Sequence, residues 1–434
     1  MNRRTFIASS TALAALSRTS SLLGQQRERE QTDAPPPASI AALTSMRDQA
    51  KPITNEERRA RIENARRLMA AHKLGALVLT GGTSLVYFTG MRWSGGERLF
   101  ACVIPVKGEP FFVCPAFEED RARERITSGP FGGAHADVRT WQEDESPYAL
   151  VAHGLKDRGL ATASIGMEET TKYVWSEGIA SAATHARVVS GTPVTAGCRM
   201  IKDAHELALM QVANNATLKV YHAVYQALQP GMTQNQVSEL ISVAYRRVGF
   251  PGDASVQTGP YTALPHGSAT PQTISEGTII MVDDGCTVEG YQSDITRTFV
   301  LGRASEKMNK VFGIVRQAQN AALKAARPGA ALESIDAAAR EVIVNAGYGP
   351  GFKYFSHRLG HGIGMDGHEW PYLVKNNMFG WARSMKAQPG MCFSNEPGIY
   401  IHGEFGVRLE DDMHITPEGA TLFTSQSESL EKPF

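Results

Sequence analysis

The chain has 434 residues, of which 42% are hydrophobic and 20% are charged, so it is long enough for two domains and has the composition of a globular protein. Its 44 lysines and arginines equal its 44 aspartates and glutamates, so the net charge of zero gives no electrostatic reason to expect nucleic acid or an anionic membrane as a partner. The 5 cysteines lack the spacing of a metal site, and most of them are expected to be buried free thiols.

Residues 1–25 have the pattern of an export signal. Arg3 and Arg4 stand directly before a weakly hydrophobic run at 6–16, and paired arginines before such a run are typical of the twin-arginine route. We therefore expect an exported, periplasmic protein, with a disordered basic N-terminus as the alternative. The run is too short to cross a bilayer as a stable helix, so no stable membrane span is expected. Residues 26–51, which are rich in proline and charge, predict a flexible linker.

Residues 52–195 alternate between strand and helix patterns, which indicates an α/β domain. Thr54 and Glu57 form a capping-box pattern at the start of an amphipathic helix that ends at Gly75. The other predicted elements are strands at 76–80, 100–105 and 110–114, helices from about 118 and at about 147–158, and a strand from 165. No catalytic residue types cluster in this region, so we expect the domain to pack against the next one and to cover part of it.

Residues 200–434 contain a weak internal repeat in which a long helix pattern and then a shorter one occur twice. The four helices are predicted at 203–228, at 233–248, at 304–326 and in a stretch that ends at 347. In each half an apolar run then leads to an acidic residue, Asp283 in the first half and Glu396 in the second. Two such halves predict an α+β domain with one sheet curled around a central cleft, and acidic side chains directed to the same place.

Four acidic residues lie on or at the ends of apolar strands in this region. Asp283 and Asp294 are eleven residues apart on two strand-like segments, so a hairpin would bring both carboxylates to one face. Such carboxylates repel each other unless a divalent metal ion neutralises them, and the alternative is that both are surface turn residues. Glu396 also ends an apolar strand. Glu410 lies on a strand in which Arg408 shares its face, where the arginine can pair with a ligand carboxylate and orient it.

His357, His361 and His368 fall within twelve residues of a glycine-rich stretch. A lone histidine is usually structural, but a cluster of three is unusual, and glycines allow the backbone to pass close to a ligand or a metal ion. Four carboxylates with one imidazole suit a pair of ions such as Mn²⁺, Co²⁺ or Zn²⁺ better than they suit a thiolate zinc site. These residues therefore predict a hydrolytic site with two metal ions.

These motifs resemble those of the pita-bread metallopeptidases, specifically the aminopeptidase P and prolidase branch. The segments that carry the resemblance are 282–285, 290–299, 360–364, 368–371, 395–400 and 407–410. The resemblance implies a pita-bread catalytic domain with a pseudo-two-fold repeat at 200–434. Residues 52–195 are similar, more weakly, to the creatinase-like N-terminal domain of this branch. A homodimer or a higher homo-oligomer is implied as well.

The resemblance also implies the chemistry. Two divalent metal ions, with Mn²⁺ as the first expectation, would be held by Asp283, Asp294, His361, Glu396 and Glu410. A hydroxide held between the ions would attack the scissile peptide carbonyl, with Glu396 as general base. His368 would steady the tetrahedral intermediate, and His266 would help to bind substrate and to protonate the leaving nitrogen. His357 and Arg408 would complete the set of catalytic residues.

The predicted activity is hydrolysis of small peptides at Xaa-Pro bonds. A prolidase, which acts on dipeptides, would differ from an aminopeptidase P in binding the free carboxylate of the substrate, and Arg383 is the candidate for that contact. Asp284, where many relatives carry a non-acidic residue, is expected to point away from Asp283 by strand alternation. The alternatives are a creatinase-like carbon–nitrogen hydrolase, a lyase on the same scaffold and an inactive binding protein. The intact ligand set argues against the first and the last of these.

Overall fold

The protein is described by a computed structural model that covers residues 35–434, except residues 95, 133–134 and 382. The predicted export signal at 1–25, and the part of the predicted linker before residue 35, lie outside the described residues. Within the described residues, no helix combines the length and the hydrophobicity that crossing a membrane requires. The 5 cysteines are buried and free, as predicted for most of them.

The segment that follows residue 35 packs against the C-terminal domain, so the prediction of a flexible linker at 26–51 is wrong for this part. The segment contains the short helix α1 (Ala38–Ala41), and the side chains of Ile40, Leu43 and Met46 are buried in the core of that domain. Each such side chain contributes about 1.5–3 kcal/mol on burial, which offsets the conformational entropy of a short segment. The proline-rich and charged composition hid these three apolar anchors.

The N-terminal domain is a six-stranded mixed sheet flanked by helices. Its helices are α2 (Asn55–Ala71), α3 (Thr83–Thr89), α4 (Glu119–Ser128), α5 (Pro147–Asp157), α6 (Tyr173–Ala182) and α7 (Thr192–Arg199). Its strands are β1 (Ala76–Leu79), β2 (Ala101–Pro105), β3 (Phe111–Pro115), β4 (Asp137–Trp141), β5 (Ser164–Met167) and β6 (Arg187–Ser190). The order is β4-β3-β2-β1-β5-β6, with the central three strands antiparallel and the outer pairings parallel. The predicted α/β, creatinase-like fold is confirmed.

The capping box predicted at the start of α2 is present. The hydroxyl of Thr54 accepts from the N–H of Glu57 over 3.2 Å, and the Glu57 carboxylate accepts from the N–H of Thr54 over 2.7 Å. Sequence analysis missed α3, α6, α7, β4 and β6. Strands β4 and β6 are half-exposed or exposed along most of their length, so no alternation of buried and exposed residues marks them in the sequence.

The C-terminal domain repeats one arrangement of helices and strands. Its helices are α8 (Ala204–Tyr225) and α9 (Gln234–Val248) in the first half, and α10 (Glu306–Ala325) and α11 (Leu332–Asn345) in the second. Its strands are β7 (Ser255–Thr258), β8 (Ile279–Asp284), β9 (Thr287–Val288), β10 (Tyr291–Gln292), β11 (Ile295–Val300), β12 (Gly360–Gly362), β13 (Glu369–Leu373), β14 (Cys392–Asn395), β15 (Gly398–Ile401), β16 (Phe405–Arg408), β17 (Asp411–Ile415) and β18 (Ala420–Leu422). In each half the long helix packs on the shorter one. The pita-bread fold and its pseudo-two-fold repeat are confirmed.

The two halves form separate sheets rather than the single sheet that the repeat predicts. The first sheet has the order β11-β8-β7, and the second has the order β13-β12-β14-β17-β18. Strand β11 of the first sheet meets the hairpin of β15 and β16, a separate two-stranded sheet, where the hydroxyl of Thr298 donates to the carbonyl oxygen of Arg408 over 2.6 Å. Between β16 and β17, the N–H of Glu410 donates to the carbonyl oxygen of Thr296 over 3.3 Å. Because a side-chain hydroxyl takes one of these bonds, the backbone ladder is interrupted at the junction.

The strand register brings the predicted acids to this junction. Asp283 on β8 pairs with Thr296 on β11, and Asp294 immediately precedes β11. In the second sheet the end of β14 pairs with the start of β17. Glu396 and Glu410 are the residues just beyond this pairing, so they lie side by side at the same end of their sheet.

A buried ion pair joins the two domains. The guanidinium of Arg61 on α2 lies 3.2 Å from the carboxylate of Glu206 on α8, and the two side chains are 7% and 3% exposed. The hydroxyl of Tyr291 accepts from Arg61 over 2.8 Å and donates to Glu206 over 2.7 Å. The guanidinium also lies over the ring of Tyr87, 4.1 Å from its centroid. These charges are therefore satisfied only when both domains are in place.

Replacement of Arg61 by methionine is expected to lower the free energy of unfolding by about 3–5 kcal/mol, because the buried carboxylate of Glu206 would lose its cation. Urea denaturation followed by tryptophan fluorescence measures the change. The control is Arg98→Met, which removes an exposed ion pair with Glu143 and is expected to leave the denaturation midpoint unchanged. Equal shifts in the two variants would contradict the role assigned to the interdomain pair.

Candidate active site

One cleft in the C-terminal domain collects the predicted site residues. It has a volume of about 550 Å³ and is lined by residues from both halves of the domain. All predicted site residues except Arg383 line it, namely His266, Asp283, Asp294, His357, His361, His368, Glu396, Arg408 and Glu410. Residues that are far apart in the sequence therefore meet in one place.

The acids and the central histidine lie close enough to share metal ions. Three groups of side chains each place one ligand atom per residue within 4.8 Å of the others. The groups are Asp283 with Asp294 and Glu410, His361 with Glu396 and Glu410, and Asp294 with His361 and His368. Glu410 belongs to the first two groups, and Asp294 belongs to the first and the third. This arrangement fits two adjacent metal centres that share ligands.

Thr296 shows how crowded the acids are. Its hydroxyl is fully buried, lies 2.5 Å from the carboxylate of Asp283 and also contacts the carboxylate of Glu410. A hydroxyl has one proton to donate, so it cannot satisfy both carboxylates at the same time. Asp283 is also paired with the guanidinium of Arg408, so Glu410 is the acid left to hold a proton itself or to be neutralised by a further cation.

The acids respond to this crowding in opposite ways. Burial, and then the charges of neighbouring carboxylates, raise the pKa values of Asp294 and Glu410 well above their ordinary values. Burial would also raise the pKa of Glu396, but the adjacent His361 and the charges of His357 and Arg408 lower it to about 2. In the absence of a cation, Asp294 and Glu410 thus hold their protons to higher pH than ordinary carboxyl groups do, and a divalent ion would displace those protons. The donor set of carboxylate oxygens and one imidazole fits such an ion.

A backbone carbonyl orients the ring of His361 so that its Nε2 faces the acids. Its Nδ1 donates to the carbonyl oxygen of Gly362 over 3.1 Å, and this leaves the lone pair of Nε2 facing the acids. Nε2 lies 3.3 Å from Glu396 and 3.7 Å from Asp294. The pairing of β12 with β13 shifts register immediately after His361, and such bulges re-aim side chains.

The glycines beside His361 admit neighbouring strands rather than a ligand. A Cβ atom on Gly360 would lie 2.1 Å from the carbonyl oxygen of Ser394. A Cβ atom on Gly362 would lie 2.5 Å from the carbonyl oxygen of Glu369. The close approach predicted from this glycine-rich stretch is present, but it is an approach between backbone segments.

A chain of hydrogen bonds runs from Arg408 to His357 along the cleft. Arg408 donates to the hydroxyl of Tyr400 over 2.9 Å, and that hydroxyl lies 2.8 Å from Nε2 of His357. Nδ1 of His357 lies 2.7 Å from the carbonyl oxygen of Arg358, so Nδ1 carries the proton and Nε2 accepts from Tyr400. Burial lowers the pKa of His357, which favours this neutral ring. Arg408 also donates to Asp283 over 2.5 Å, which is the pairing with a ligand carboxylate predicted from the sequence.

His368 stacks on His361 with a distance of 3.7 Å between the ring centroids. Its Nδ1 lies 3.1 Å from a guanidinium nitrogen of Arg358, which can only donate, so the proton of the neutral ring lies on Nε2. Burial, and then the nearby His361 and Arg358, lower the pKa of His368 to about 4. The ring is therefore a neutral hydrogen-bond donor at neutral pH. His266 is exposed and contributes to the lining of the same cleft.

Two other residues differ from what the sequence predicts. Arg383 is exposed outside the cleft, where it donates to the carbonyl oxygen of Phe379 over 3.3 Å. Asp284 has a φ of 132° and lines the cleft together with Asp283. It belongs to none of the ligand groups formed by the described residues.

Sequence analysis missed Arg358, which lines the cleft and lies 4.4 Å from the centroid of the Tyr372 ring. Its position beside a cluster histidine was the signal available.

Known proteins share this architecture. Residues 61–201 match the Creatinase/Prolidase N-terminal domain, and residues 208–417 match Metallopeptidase family M24. The chain is 36% identical over 350 residues to the protein named "Probable dipeptidase PepE" of Mycobacterium tuberculosis, with 80% of this chain and 89% of that protein covered. It is 32% identical over 356 residues to an Xaa-Pro dipeptidase of Lactobacillus helveticus, with 80% and 92% covered. The crystal structure of dipeptidase PepE from Mycobacterium ulcerans gives a TM-score of 0.80 at 33% identity, with 88% of this chain and 99% of that chain covered.

The raised pKa values predict how pH acts on the stability of the metal-free protein. Asp294 and Glu410 hold their protons to higher pH in the folded state than in the unfolded chain, so stability falls as the pH rises through their folded-state pKa values. We therefore expect the free energy of unfolding of the apo-protein, measured with urea, to fall as the pH rises above the ordinary carboxyl pKa values of 3.8 and 4.5, and saturating Mn²⁺ to reduce that fall. Burial raises the pKa of Asp284 to about 6 and that of Asp412 to about 7, so these two groups add to the fall. The lowered pKa of Glu396 acts in the opposite sense, because it adds stability that is lost as the pH falls. That loss occurs below pH 4.5, the ordinary pKa of the group.

The matched control for this measurement is Glu410→Gln. The apo-form of this variant is expected to show a smaller fall with pH, because one of the two candidate ligand carboxyls with a raised pKa is gone, and Mn²⁺ is expected to stabilise it less. A fall of the same size in the variant and the parent would assign the pH dependence to other groups.

Proposed function

The chain belongs to metallopeptidase family M24 and is a metallopeptidase, and on this premise we propose that it hydrolyses Xaa-Pro bonds in small peptides, above all in dipeptides. One observation carries the proposal, namely two overlapping groups of metal-ligating side chains, joined by Glu410, in a cleft large enough for a small peptide. In the described residues, no feature favours the creatinase-like carbon–nitrogen hydrolase or the lyase over this activity.

Two divalent ions, with Mn²⁺ as the first choice, are the proposed cofactors. Asp283, Asp294 and Glu410 would hold one ion, and His361 and Glu396 would hold the other together with Glu410, because each of these groups converges within 4.8 Å. Asp294 also converges with His361, so Asp294 and Glu410 are the residues placed to contact both ions. When bound, the ions would lower the pKa of a water molecule and polarise the scissile carbonyl.

Glu396 is the general base in this proposal. Its carboxylate lines the cleft and is ionised at neutral pH, as the acceptor of a proton from the attacking water must be. Ser394 donates to the Glu396 carboxylate over 3.2 Å, and His361 lies 3.3 Å from the same oxygen. These two contacts orient the carboxylate.

The other cleft residues would stabilise and position the reacting groups. His368 would donate from Nε2 to the oxygen that becomes negative during attack, since its Nδ1 already accepts from Arg358. His266, at the exposed edge of the cleft, would help to bind substrate and to protonate the leaving nitrogen. Arg408 would orient Asp283, and His357 would hold Arg408 in place through Tyr400.

The preference for proline rests on the apolar part of the cleft. Phe352, Val374 and Met378 line it beside the polar residues. A pyrrolidine ring would bury apolar surface against such side chains, and the nitrogen of an Xaa-Pro bond carries no N–H that needs an acceptor. The name of the Lactobacillus relative, Xaa-Pro dipeptidase, supports the same specificity.

A preference for dipeptides rests on Arg358. Its guanidinium lies in the cleft, packs on Tyr372 and donates to His368 and to the sulfur of Met378. Within the described residues it forms no ion pair, so it can bind the free carboxylate of a dipeptide. Arg358 therefore replaces Arg383 as the proposed carboxylate-binding residue.

Location and assembly remain proposals that rest on the sequence. We propose export through the twin-arginine route, on the pattern in residues 1–25, and a homo-oligomer, on the family resemblance. Cell fractionation with an Arg3→Lys, Arg4→Lys variant and light scattering of the purified protein test the two proposals. Unchanged export of the variant, or a monomeric mass, would overturn the respective proposal.

The substrate proposal is tested by reconstituting the apo-protein with Mn²⁺, Co²⁺ or Zn²⁺ and offering Ala-Pro, Ala-Pro-Ala and Ala-Ala. We expect cleavage of Ala-Pro and background rates with Ala-Ala. Asp294→Asn and Glu410→Gln are expected to abolish turnover, because each removes a ligand shared by both ions. Cleavage that ignores proline would overturn the specificity but not the metal centre, whereas retained turnover in the two variants would refute the two-ion site.

The role of Arg358 is tested by its replacement with alanine. A charge-assisted hydrogen bond is worth about 1.5–3 kcal/mol, so kcat/KM for Ala-Pro is expected to fall about 10- to 100-fold relative to kcat/KM for Ala-Pro-Ala. Arg383→Ala removes an arginine outside the cleft and is the matched control, for which the ratio of the two values should not change. An equal loss of kcat/KM for both peptides after Arg358→Ala would contradict the proposed contact with the substrate carboxylate.

A further inference from the structure

The turn that carries His368 is held at both ends by one arginine of the N-terminal domain. Asp366 and Glu369 bracket Gly367 and His368, and Glu369 begins β13. One guanidinium nitrogen of Arg199 donates to the carboxylate of Glu369 over 2.5 Å and also to the carboxylate of Asp366. Arg199 is the last residue of α7. A single side chain of one domain therefore pins both ends of a four-residue segment in the other.

A second cation completes this clamp. The ammonium group of Lys202, in the connection between the domains, donates to the other carboxylate oxygen of Glu369 over 2.6 Å, and the Lys202 side chain is 1% exposed. Burial alone would raise the pKa of Glu369, but the charges and hydrogen bonds of Lys202 and Arg199 lower it. A Cβ atom on Gly364 would lie 2.5 Å from Glu369 and 2.7 Å from Lys202, so the pair leaves no room there for a side chain.

The His368 ring has few other supports. Within the described residues its ring receives one hydrogen bond, from Arg358, which is itself half-buried in the cleft, and it stacks on His361. Glu369 pairs with Gly362, the neighbour of His361, in the β12–β13 ladder. A shift of Glu369 would therefore move the backbone beside both stacked histidines.

We propose that Arg199 and Lys202 are positioning residues that hold His368 in the cleft through the carboxylates of Asp366 and Glu369. The N-terminal domain then contributes to the reaction through this clamp, in addition to covering the catalytic domain. The proposal rests on the peptidase function proposed above, because His368 must act on the substrate for its position to affect turnover. It assigns no contact between substrate and either cation.

Arg199→Met removes the clamp and leaves the buried Lys202 to neutralise Glu369. A displacement on the order of 1 Å can cost about 100-fold in rate, so we expect kcat for Ala-Pro to fall about 10- to 100-fold while KM changes less than about threefold. Arg199→Lys, which keeps the charge, should recover most of the loss. The matched control is Arg61→Met, which removes the other buried ion pair between the domains, the one with Glu206. In the part of the chain that the structure describes, Arg61 makes no hydrogen bond to the 366–369 segment, so this variant should lower stability without lowering kcat.

A double-mutant cycle tests whether Arg199 acts through His368. His368→Ala alone should lower kcat, and adding Arg199→Met to it should cause no further loss, because the group that is positioned has already been removed. Losses that multiply in the double variant, or an equal loss of kcat in Arg61→Met, would overturn the proposal and leave a structural role only.

A structural readout separates this proposal from the proposed function. A crystal structure of Arg199→Met is expected to show the 366–369 segment displaced and the stacking of His368 on His361 lost. Retention of both would overturn the proposal even without an activity measurement. If the parent protein, loaded with Mn²⁺, cleaves none of the peptides, the proposed function fails, and this structural comparison still decides whether Arg199 positions His368.

Discussion

Asp283, Asp294, Glu396 and Glu410 reach one cleft from two sheets, and their mutual repulsion is the constraint on which the catalytic domain depends. Burial and the neighbouring charges favour the protonated forms of two of these acids, and the Thr296 hydroxyl cannot satisfy both of its carboxylate partners. The energy that keeps the acids together comes from the packed cores of the two halves, which hold the strands in register whatever the charge in the cleft. Divalent cations would turn this repulsion into ligand binding.

The residues around the acids decide how each of them is presented. Arg408 holds Asp283, and a backbone carbonyl holds Nδ1 of His361 so that its other nitrogen faces the acids. The N-terminal domain also contacts this region, because its Arg199 binds Asp366 and Glu369 on either side of His368. One interdomain ion pair, at Arg61, joins the domains, and the second lies beside a cleft histidine. The position of the N-terminal domain is thereby coupled to the geometry of the cleft.

Local rules were enough to predict much of the fold. The capping box of Thr54 could be read because its partner lies three residues away, and Asp283 and Glu396 stood out because each ends an apolar run. The internal repeat in the sequence indicated two similar halves of the C-terminal domain. It did not reveal that they form two sheets, because the hydroxyl of Thr298 replaces a backbone partner at the junction, and hydrogen bonds of that kind leave no periodic signal. Docking of α1 was missed for a related reason, since Ile40 finds its neighbours far along the chain.

The sequence by itself determined the class of the two domains, the candidate ligand residues and the order in which they occur, because these follow from periodicity, from turn residues and from motifs of adjacent residues. Tertiary structure alone decided which arginine lies in the cleft, since the sequence pointed to Arg383 and the folded chain places Arg358 there instead. It also decided that Asp284 lines the cleft without joining a group of candidate metal ligands among the described residues. The clamp between Arg199 and Glu369 joins residues 170 apart, and no local pattern can report a contact that exists only after two domains have packed.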